Sequence, residues 1–226
     1  MKGLSNNQLK IIALVTMTVD HVGMILFPGV QWLRIIGRLA FPVFAYMIAE
    51  GCRHTGSMGK YLGTMALLAL GCQIVDFLEQ GSLYQGILVT FSLSIGLIWL
   101  LQMAEKKRTF LWIALGALGF AGAYWFCEML PGLLPGTDFH VDYGFVGVLV
   151  PVAVYLGKSK PEKLLLLALA LCALSCGLAK VQWYCLLAVP LLALYNGQRG
   201  KRNMKWLFYI YYPAHLAALY GISFLL

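Results

Sequence analysis

The feature that most constrains the fold of this chain is a series of long apolar stretches separated by short charged clusters. A bilayer core about 30 Å thick is crossed by about 20 apolar residues in helical conformation, and most of these stretches reach that length. Only 12% of the 226 residues are charged, whereas soluble domains carry about 25%. The sequence therefore predicts an all-α fold, a polytopic transmembrane helical bundle that forms a single domain over residues 1–226.

The apolar stretches predict about nine membrane-spanning helices, with boundaries accurate to a few residues. The predicted spans are 10–28, 30–53, 60–79, 84–104, 109–130, 141–157, 163–179, 181–197 and 205–226. The eighth span is short and contains Pro190, and the chain around residues 177–182 forms either a tight hairpin or part of one irregular unit. Eight or ten helices are the alternatives.

The distribution of basic residues predicts the orientation of these spans, because short cytoplasmic loops are enriched in Lys and Arg. With a cytoplasmic N-terminus, the inner segments collect Lys2, Lys10, Arg53, Lys60, Lys106, Lys107, Arg108, Lys158, Lys160, Lys163, Arg199, Lys201, Arg202 and Lys205. The outer side keeps three basic residues, Arg34, Arg38 and Lys180. The chain is therefore predicted to have an odd number of spans, with the N-terminus cytoplasmic and the C-terminus outside.

The same distribution argues against nucleic-acid binding, because the basic residues are spread over several loops rather than gathered in one patch. The six cysteines form no C-x-x-C pair and no Cys/His cluster with zinc-ligand spacing. No metal ion is therefore expected.

Ionisable side chains inside predicted spans point to a site, because each costs about 2.5–3.5 kcal/mol at the centre of a membrane helix. Asp20 and His21 lie in the first span, and Arg34 and Arg38 share one face of the second. The Pro28-Gly29 turn between the spans places positions 21 and 38 at the same depth, about 10 Å below the turn.

Two interpretations of this group stay open. In the first, a buried Asp20–Arg38 ion pair tethers the hairpin and His21 is a satisfied core histidine. In the second, Asp20 pairs with Arg38 and leaves His21 as a proton acceptor inside the membrane. Pro42 removes a backbone hydrogen bond and frees the carbonyl of Arg38, so a kink is predicted beside this group.

Two further groups of polar residues lie later in the chain. In the last span, Tyr212 and His215 flank Pro213 at mid-membrane depth, where they either contact substrate or make a hydrogen-bonded helix contact. Asp142 and Tyr143 lie at the outer end of the sixth span, where they either line an entrance or belong to a solvated loop.

Four sequence segments, in order, resemble the TraX family of membrane proteins over essentially the whole chain. They are LKIIALVTMTVDHVGMILFP, LRIIGRLAFPVFAYMIAEG, DYGFVGVLVP and YIYYPAHL. The founding activity of that family is N-terminal acetylation of F pilin. More distantly, the chain resembles transmembrane acyltransferases, which move an acyl group from a cytoplasmic thioester to an acceptor across or within the membrane.

This resemblance implies acetyl transfer from acetyl-CoA to an amine or hydroxyl acceptor, which is a protein N-terminus, a glycan or a small molecule. It implies a multi-pass location in the bilayer of a bacterial-type cytoplasmic (inner) membrane. His21 would be the catalytic base or a transient acetyl carrier, oriented or stabilised by Asp20.

The resemblance also assigns binding roles to the other polar residues. Arg34 and Arg38 would bind an anionic part of the ligand or the developing oxyanion. Tyr212, His215, Asp142 and Tyr143 are the further substrate-binding candidates. Arg53 and Lys60, near the inner end of the second span, would dock the phosphates of CoA.

A proton-coupled small-molecule transporter is the alternative, since buried His, Asp and Arg also build proton relays. Transporters often contain repeated halves with matching broken helices. The D-H, R-x-x-x-R and Y-x-x-Y-P-x-H patterns do not recur in this chain, which favours the acetyltransferase. A non-catalytic assembly subunit is a second alternative, but it gives no reason for His21 and Arg38 to share one buried depth.

Overall fold

The structure is a computed structural model, and it describes residues 3–198, 200 and 205–225. That part of the chain is helical, and its extended pairings are limited to two isolated bridges, Leu4 with Tyr195 and Gln85 with Val141. The predicted all-α fold is therefore confirmed.

Five helices in the described part are long and apolar enough to cross a membrane. They are Asn6–Ile25, Gln31–His54, Met58–Leu78, Ile87–Lys107 and Phe110–Leu133. Shorter apolar helices follow at Gly144–Leu156 and Lys180–Ala193. The count of nine spans and the orientation of the termini stay predictions. Of the basic residues used for the orientation, Lys2, Arg199, Lys201 and Arg202 lie outside the described residues.

The chain divides into two compact units. Unit one contains Met1–Met47 and Ser159–Leu226, and unit two contains Ile48–Lys158. The assignment of the whole chain to a single domain stays a prediction.

Unit one begins with a helical hairpin. Helix α1 (Asn6–Ile25) starts at a capping box, in which Ser5 and Gln8 satisfy each other's backbone N–H groups. After the Pro28-Gly29 turn, α2 covers Gln31–Gly37 and α3 covers Ala40–His54, of which residues 40–47 belong to unit one. The predicted second span is therefore interrupted at residues 38–39, beside Pro42, where the kink was expected.

The rest of unit one contains α9 (Lys160–Cys176), a 3₁₀ helix (Lys180–Leu187), α10 (Ala188–Ala193) and α11 (Lys205–Ser223). The helix predicted over 181–197 is present as Lys180–Ala193, but it is a 3₁₀ helix joined to a short α-helix rather than one continuous α-helix. Pro190 explains this difference. Its ring has no N–H for the carbonyl of Leu186 and would clash with that carbonyl in a continuous α-helix.

Backbone hydrogen bonds join the chain before α1 to the chain after α10. The Leu4 N–H donates to the Leu194 carbonyl at 2.8 Å, and the Asn196 N–H donates to the Leu4 carbonyl at 2.9 Å. Lys160 Nζ donates to the carbonyls of Ala193 and Tyr195 at 2.5 and 2.7 Å. The starts of α1 and α9 and the end of α10 therefore share one end of this unit.

Unit two is built from α4 (Met58–Gln80), α5 (Ile87–Lys107), α6 (Phe110–Tyr124) and α8 (Gly144–Leu156). A π-helical segment, Trp125–Met129, and the short helix α7 (Leu130–Leu133) continue α6. At one end of the unit, Gln85 pairs with the segment that leads into α8. The Gln85 N–H donates to the His140 carbonyl and the Asp142 N–H donates to the Gln85 carbonyl, both at 2.8 Å.

Candidate functional site

The polar group predicted in the first hairpin is assembled around Asp20. Arg38 Nη2 donates to both carboxylate oxygens of Asp20 at 2.7 Å. Arg34 Nη1 lies 2.9 Å from Asp20 Oδ2 and also donates to the Asp20 backbone carbonyl at 3.1 Å. The two arginines on one face of the second span therefore converge on a single carboxylate, and the predicted Asp20–Arg38 pair is present.

Gly37 allows this carboxylate to lie against α2. A Cβ atom at position 37 would stand 2.1 Å from Asp20 Oδ1 and 2.3 Å from Asp20 Cβ. Both distances are shorter than the contacts that real Cβ atoms make in proteins. Any side chain at this position would therefore push the carboxylate away from its arginines.

Arg38 is engaged on all sides. Its Nη1 donates to Gln182 Oε1 at 3.1 Å, and its Nε donates to the Arg34 carbonyl at 3.4 Å, in addition to the two bonds to Asp20. Arg38 is 9% exposed and Gln182 is 2% exposed. Arg38 therefore joins α1, α2 and the 3₁₀ helix through a buried network, and its binding of substrate stays a prediction.

Arg34 is placed differently, although it contacts the same carboxylate. Its side chain is 28% exposed, against 10% for that of Arg38. Among the contacts of the described residues, Arg34 uses only Nη1. The N–H groups on its Nε and Nη2 therefore remain able to bind an anion.

His21 contacts His215 from the last helix, 194 residues later in the chain. His21 Nδ1 and His215 Nε2 are 2.9 Å apart, and the ring centroids are 4.9 Å apart. His215 is 7% exposed. Of the two roles left open for His215, the structure shows the hydrogen-bonded helix contact, and its partner is the predicted catalytic histidine.

Two tyrosines hold the ring of His215. Tyr211 stacks on it with an interplanar angle of 12° and a centroid distance of 5.3 Å, and Tyr212 meets it edge-on at 5.6 Å. The Tyr211 hydroxyl is 2.8 Å from Thr18 Oγ1 on α1. Tyr212 therefore lies beside the histidine pair, and its direct contact with substrate stays a prediction.

Gln182 and Tyr211 are site residues that the sequence did not predict. Gln182 is an uncharged polar residue in a segment with irregular geometry, so no helical face could be assigned to it. An amide within an otherwise apolar stretch of KVQWYCLL was the available signal. Tyr211 lies in the same YYPAH segment, directly before the predicted Tyr212.

Asp142 and Tyr143 belong to unit two, where they shape the start of α8. Tyr143 precedes the helix with a φ of +61°, and the Asp142 carbonyl accepts a hydrogen bond from Thr90 Oγ1 at 2.7 Å. The described bonds of Asp142 involve its backbone, and the role of both side chains at an entrance stays a prediction.

Arg53 and Lys60 also belong to unit two. Arg53 Nη2 donates to the carbonyls of Tyr155 and Gly157, and its guanidinium lies 4.8 Å from the centroid of the Tyr155 ring. These contacts place a cation at the C-terminus of α8, where the helix dipole favours it. Lys60 is exposed in the first turn of α4. Phosphate docking by either residue stays a prediction.

Among residues 3–198, 200 and 205–225, no group of three or more His, Cys, Asp or Glu residues is placed to hold a metal ion.

The amino-acid sequence of the chain matches a known family. The family model described as TraX protein matches residues 5–223. A probable fimbrial assembly protein, FimC of serogroup H1 from Dichelobacter nodosus, is 26% identical, over 94% of this chain and 93% of that protein. Protein TraX of Escherichia coli is 28% identical, over 71% of this chain and 60% of that protein. No solved structure gives a significant match.

Proposed function

The chain belongs to the TraX family, and from that premise we propose that it is an integral-membrane acetyltransferase. It moves an acetyl group from cytoplasmic acetyl-CoA to an amine or hydroxyl acceptor in or across the membrane. The observation that carries this proposal is the partly buried histidine pair beside the Asp20 cluster, in which His21 Nδ1 lies 2.9 Å from His215 Nε2, because an imidazole held in this way can act as a base.

The reaction assigns a base role to His21. Nε2 removes a proton from the acceptor while the acceptor nitrogen or oxygen forms a bond to the thioester carbonyl carbon. The tetrahedral intermediate then collapses, the C–S bond breaks, and the sulfur leaves with the proton that His21 took up. Acetylated acceptor and CoA with a free thiol are the products.

Arg34 and Arg38 have different roles in this proposal. Arg38 holds the Asp20 carboxylate and Gln182, so its part is to keep the cluster assembled. Arg34 is more exposed and has donors to spare, so it is the candidate for the developing oxyanion or an anionic part of the substrate. Asp20 keeps both cations in place and lowers the cost of burying them.

The acceptor is proposed to be an amine, and the first candidate is the N-terminus of a pilus or fimbrial subunit. Support comes from the family itself and from the relative in Dichelobacter nodosus that carries the name of a fimbrial assembly protein. A free α-amino group has a pKa of about 7.7–8.0. Much of it is therefore protonated at neutral pH. That first proton is lost to water before attack, and His21 takes the second proton, from the neutral amine, as the bond to the carbonyl carbon forms.

The membrane topology belongs to the same proposal, with the N-terminus in the cytoplasm of a bacterial cell and the C-terminus outside. The pairing of Leu4 with Tyr195 supports an even number of crossings between these residues, because they lie at one end of unit one. The predicted spans between them number about eight. Helix α11 would then cross once more and carry the C-terminus to the opposite side.

The test is consumption of acetyl-CoA by the purified, full-length protein in detergent or lipid nanodiscs. Release of free thiol is followed with a peptide that has a free α-amine, and an N-formylated copy of that peptide is the control. We expect thiol release and a mass increase of one acetyl group with the free peptide alone. Failure to bind or consume acetyl-CoA with any amine or hydroxyl acceptor would overturn the proposal.

A proton-coupled transporter remains the second candidate, and the 2.9 Å contact between His21 and His215 favours it specifically. Two imidazoles at that distance can pass a proton along a path inside the membrane. Proteoliposomes with an internal pH indicator separate the two functions. Proton movement that needs a solute gradient and no acetyl-CoA would support transport.

A further inference from the structure

The hydrogen bond between His21 and His215 has a donor and an acceptor, and the backbone carbonyl that contacts the other nitrogen of His215 shows which is which. His215 Nδ1 lies 2.9 Å from the backbone carbonyl of Tyr211. A carbonyl oxygen only accepts hydrogen bonds, so Nδ1 of His215 must carry the proton in this contact.

The charge state of His215 then decides what its other nitrogen does. The ring is buried, and its described partners are an imidazole, the backbone carbonyls of Tyr211 and Tyr212, and the rings of these two tyrosines. Asp20, the acid of this cluster, has its carboxylate engaged by Arg34 and Arg38. A buried cation without a carboxylate partner is costly, so the neutral ring is favoured. In the neutral ring, Nε2 has a lone pair and accepts.

The tautomer of His21 follows from this arrangement. Because His215 Nε2 accepts, His21 Nδ1 must donate across the 2.9 Å contact and therefore carries the proton. The Met17 backbone carbonyl also accepts a hydrogen bond from this ring, and a neutral ring has only the Nδ1–H to give it. A neutral imidazole has one N–H group, so Nε2 of His21 is left with its lone pair. That nitrogen is the one that a base needs.

We infer that His215 is a positioning residue, which holds His21 as the Nδ1–H tautomer so that Nε2 faces substrate as the base. This inference rests on the proposed function for the chemistry that follows, but the tautomer itself does not depend on it. When His21 takes a proton from the acceptor, its Nδ1–H is already donated to His215, and this hydrogen bond stabilises the imidazolium. The third group of a catalytic triad acts in the same way.

The surroundings keep His215 in this orientation. The stacked ring of Tyr211 limits rotation of the imidazole, and the bond between the Tyr211 hydroxyl and Thr18 fixes that tyrosine to α1. A rotation of His215 by half a turn about its ring axis would break the contacts with His21 and Tyr211 together. The packing of α11 against α1 therefore fixes the position of His215 beside His21.

The first arm of the test reads the tautomer directly. The full-length protein is labelled with ¹⁵N-histidine and studied by NMR, and the four histidines are assigned with His54→Gln, His140→Gln and the site variants. We expect His21 to carry its proton on Nδ1 in the unsubstituted protein. In His215→Leu, where the Met17 carbonyl is the described acceptor that remains for the His21 ring, we expect a smaller fraction of the Nδ1–H tautomer than in the unsubstituted protein.

The second arm compares two replacements by their kinetics. His215→Gln keeps an acceptor oxygen for His21 Nδ1–H, whereas His215→Leu does not. We expect His215→Leu to lower kcat by about 10²-fold, toward the lower part of the range for general bases, with KM changed by less than about threefold. We expect His215→Gln to recover most of kcat and to keep His21 as the Nδ1–H tautomer.

Three outcomes would overturn the inference, and a fourth separates it from the proposed function. It is overturned if His21 carries its proton on Nε2 in the unsubstituted protein, or if His215→Leu leaves the tautomer of His21 unchanged. It is also overturned if His215→Gln and His215→Leu lose kcat equally while the tautomer differs between them. If His21 is the Nδ1–H tautomer but acetyl-CoA is never consumed, the positioning by His215 is upheld and the proposed function fails instead. The first measurement uses the unsubstituted chain, so it holds even if a variant does not fold.

Discussion

Two arginines from the predicted second span, the buried Arg38 and the partly buried Arg53, have different kinds of partner. Arg38, in unit one, binds the Asp20 carboxylate and the Gln182 amide. Arg53, in unit two, binds the backbone carbonyls at the end of α8 and packs on Tyr155. Backbone carbonyls are available at every helix end, whereas a buried carboxylate must be supplied by a specific residue. The residue type alone therefore does not identify a site, and the partner does.

The largest effect on stability is expected from removing the shared acid. Asp20→Ala leaves two arginines without their carboxylate, and breaking a buried ion pair from one side costs about 3–5 kcal/mol. We expect a marked loss of stability together with loss of activity. The measurement is the thermal unfolding temperature in detergent, with Arg53→Ala as the matched comparison. Equal losses in the two variants would mean that the Asp20 cluster is no more than another helix tether.

A steric change should reach the same cluster without removing any charge. Gly37→Ala places a methyl group 2.1 Å from Asp20 Oδ1, and overpacking of this kind costs about 1–3 kcal/mol. We expect lower stability and lower turnover. Gly63→Ala, on α4, is the control, because a Cβ atom there meets nothing within 4 Å. A fully stable and active Gly37→Ala would show that Asp20 does not need its position against α2.

These two predictions rest on features that the sequence supplied to different degrees. The Asp20–Arg38 pair followed from the short Pro28-Gly29 turn and the rise per residue, because a tight antiparallel hairpin has one register. The break beside Pro42 followed from the missing N–H of proline. Both are local constraints, and both are present in the structure.

Contacts between distant segments could not be predicted in the same way. His21 and His215 are separated by 194 positions, and helical periodicity gives the face of each side chain but not which helices become neighbours. Gln182 lies in a 3₁₀ segment, where the period used to assign faces does not apply. The sequence therefore predicts the hairpin of the candidate site, whereas the residues that position its histidine are seen only in the structure.

Arginine-to-lysine replacements sharpen the difference between the two arginines on Asp20. Arg38→Lys loses the fork that holds Asp20 and Gln182 together, and a hydrogen bond to a charged group is worth about 1.5–3 kcal/mol. We expect Arg38→Lys to lower the unfolding temperature. We expect Arg34→Lys to raise KM or lower kcat with a smaller effect on stability. The opposite pattern, with Arg34→Lys the less stable variant, would exchange the roles assigned to them.

Arg53→Gln should give the smallest effect of the series. It removes a cation from the C-terminus of α8, and such charges contribute about 0.3–1 kcal/mol, or up to about 2 kcal/mol when partly buried. We expect a small fall in the unfolding temperature. KM for acetyl-CoA is measured in the same preparation, beside Lys60→Gln. A rise in KM for both variants would show that these residues also reach the phosphates of CoA.

The central claim is that His21 is the base of an acetyl transfer, and turnover of acetyl-CoA by His21→Ala tests it most directly. General base catalysis contributes about 10²–10⁴-fold, so the account predicts a loss of at least about 100-fold in kcat, with the unfolding temperature preserved. The matched control is His140→Ala, which removes an exposed histidine from unit two and should turn over like the unsubstituted protein. A folded His21→Ala that acetylates the acceptor peptide at the rate of His140→Ala would contradict the account.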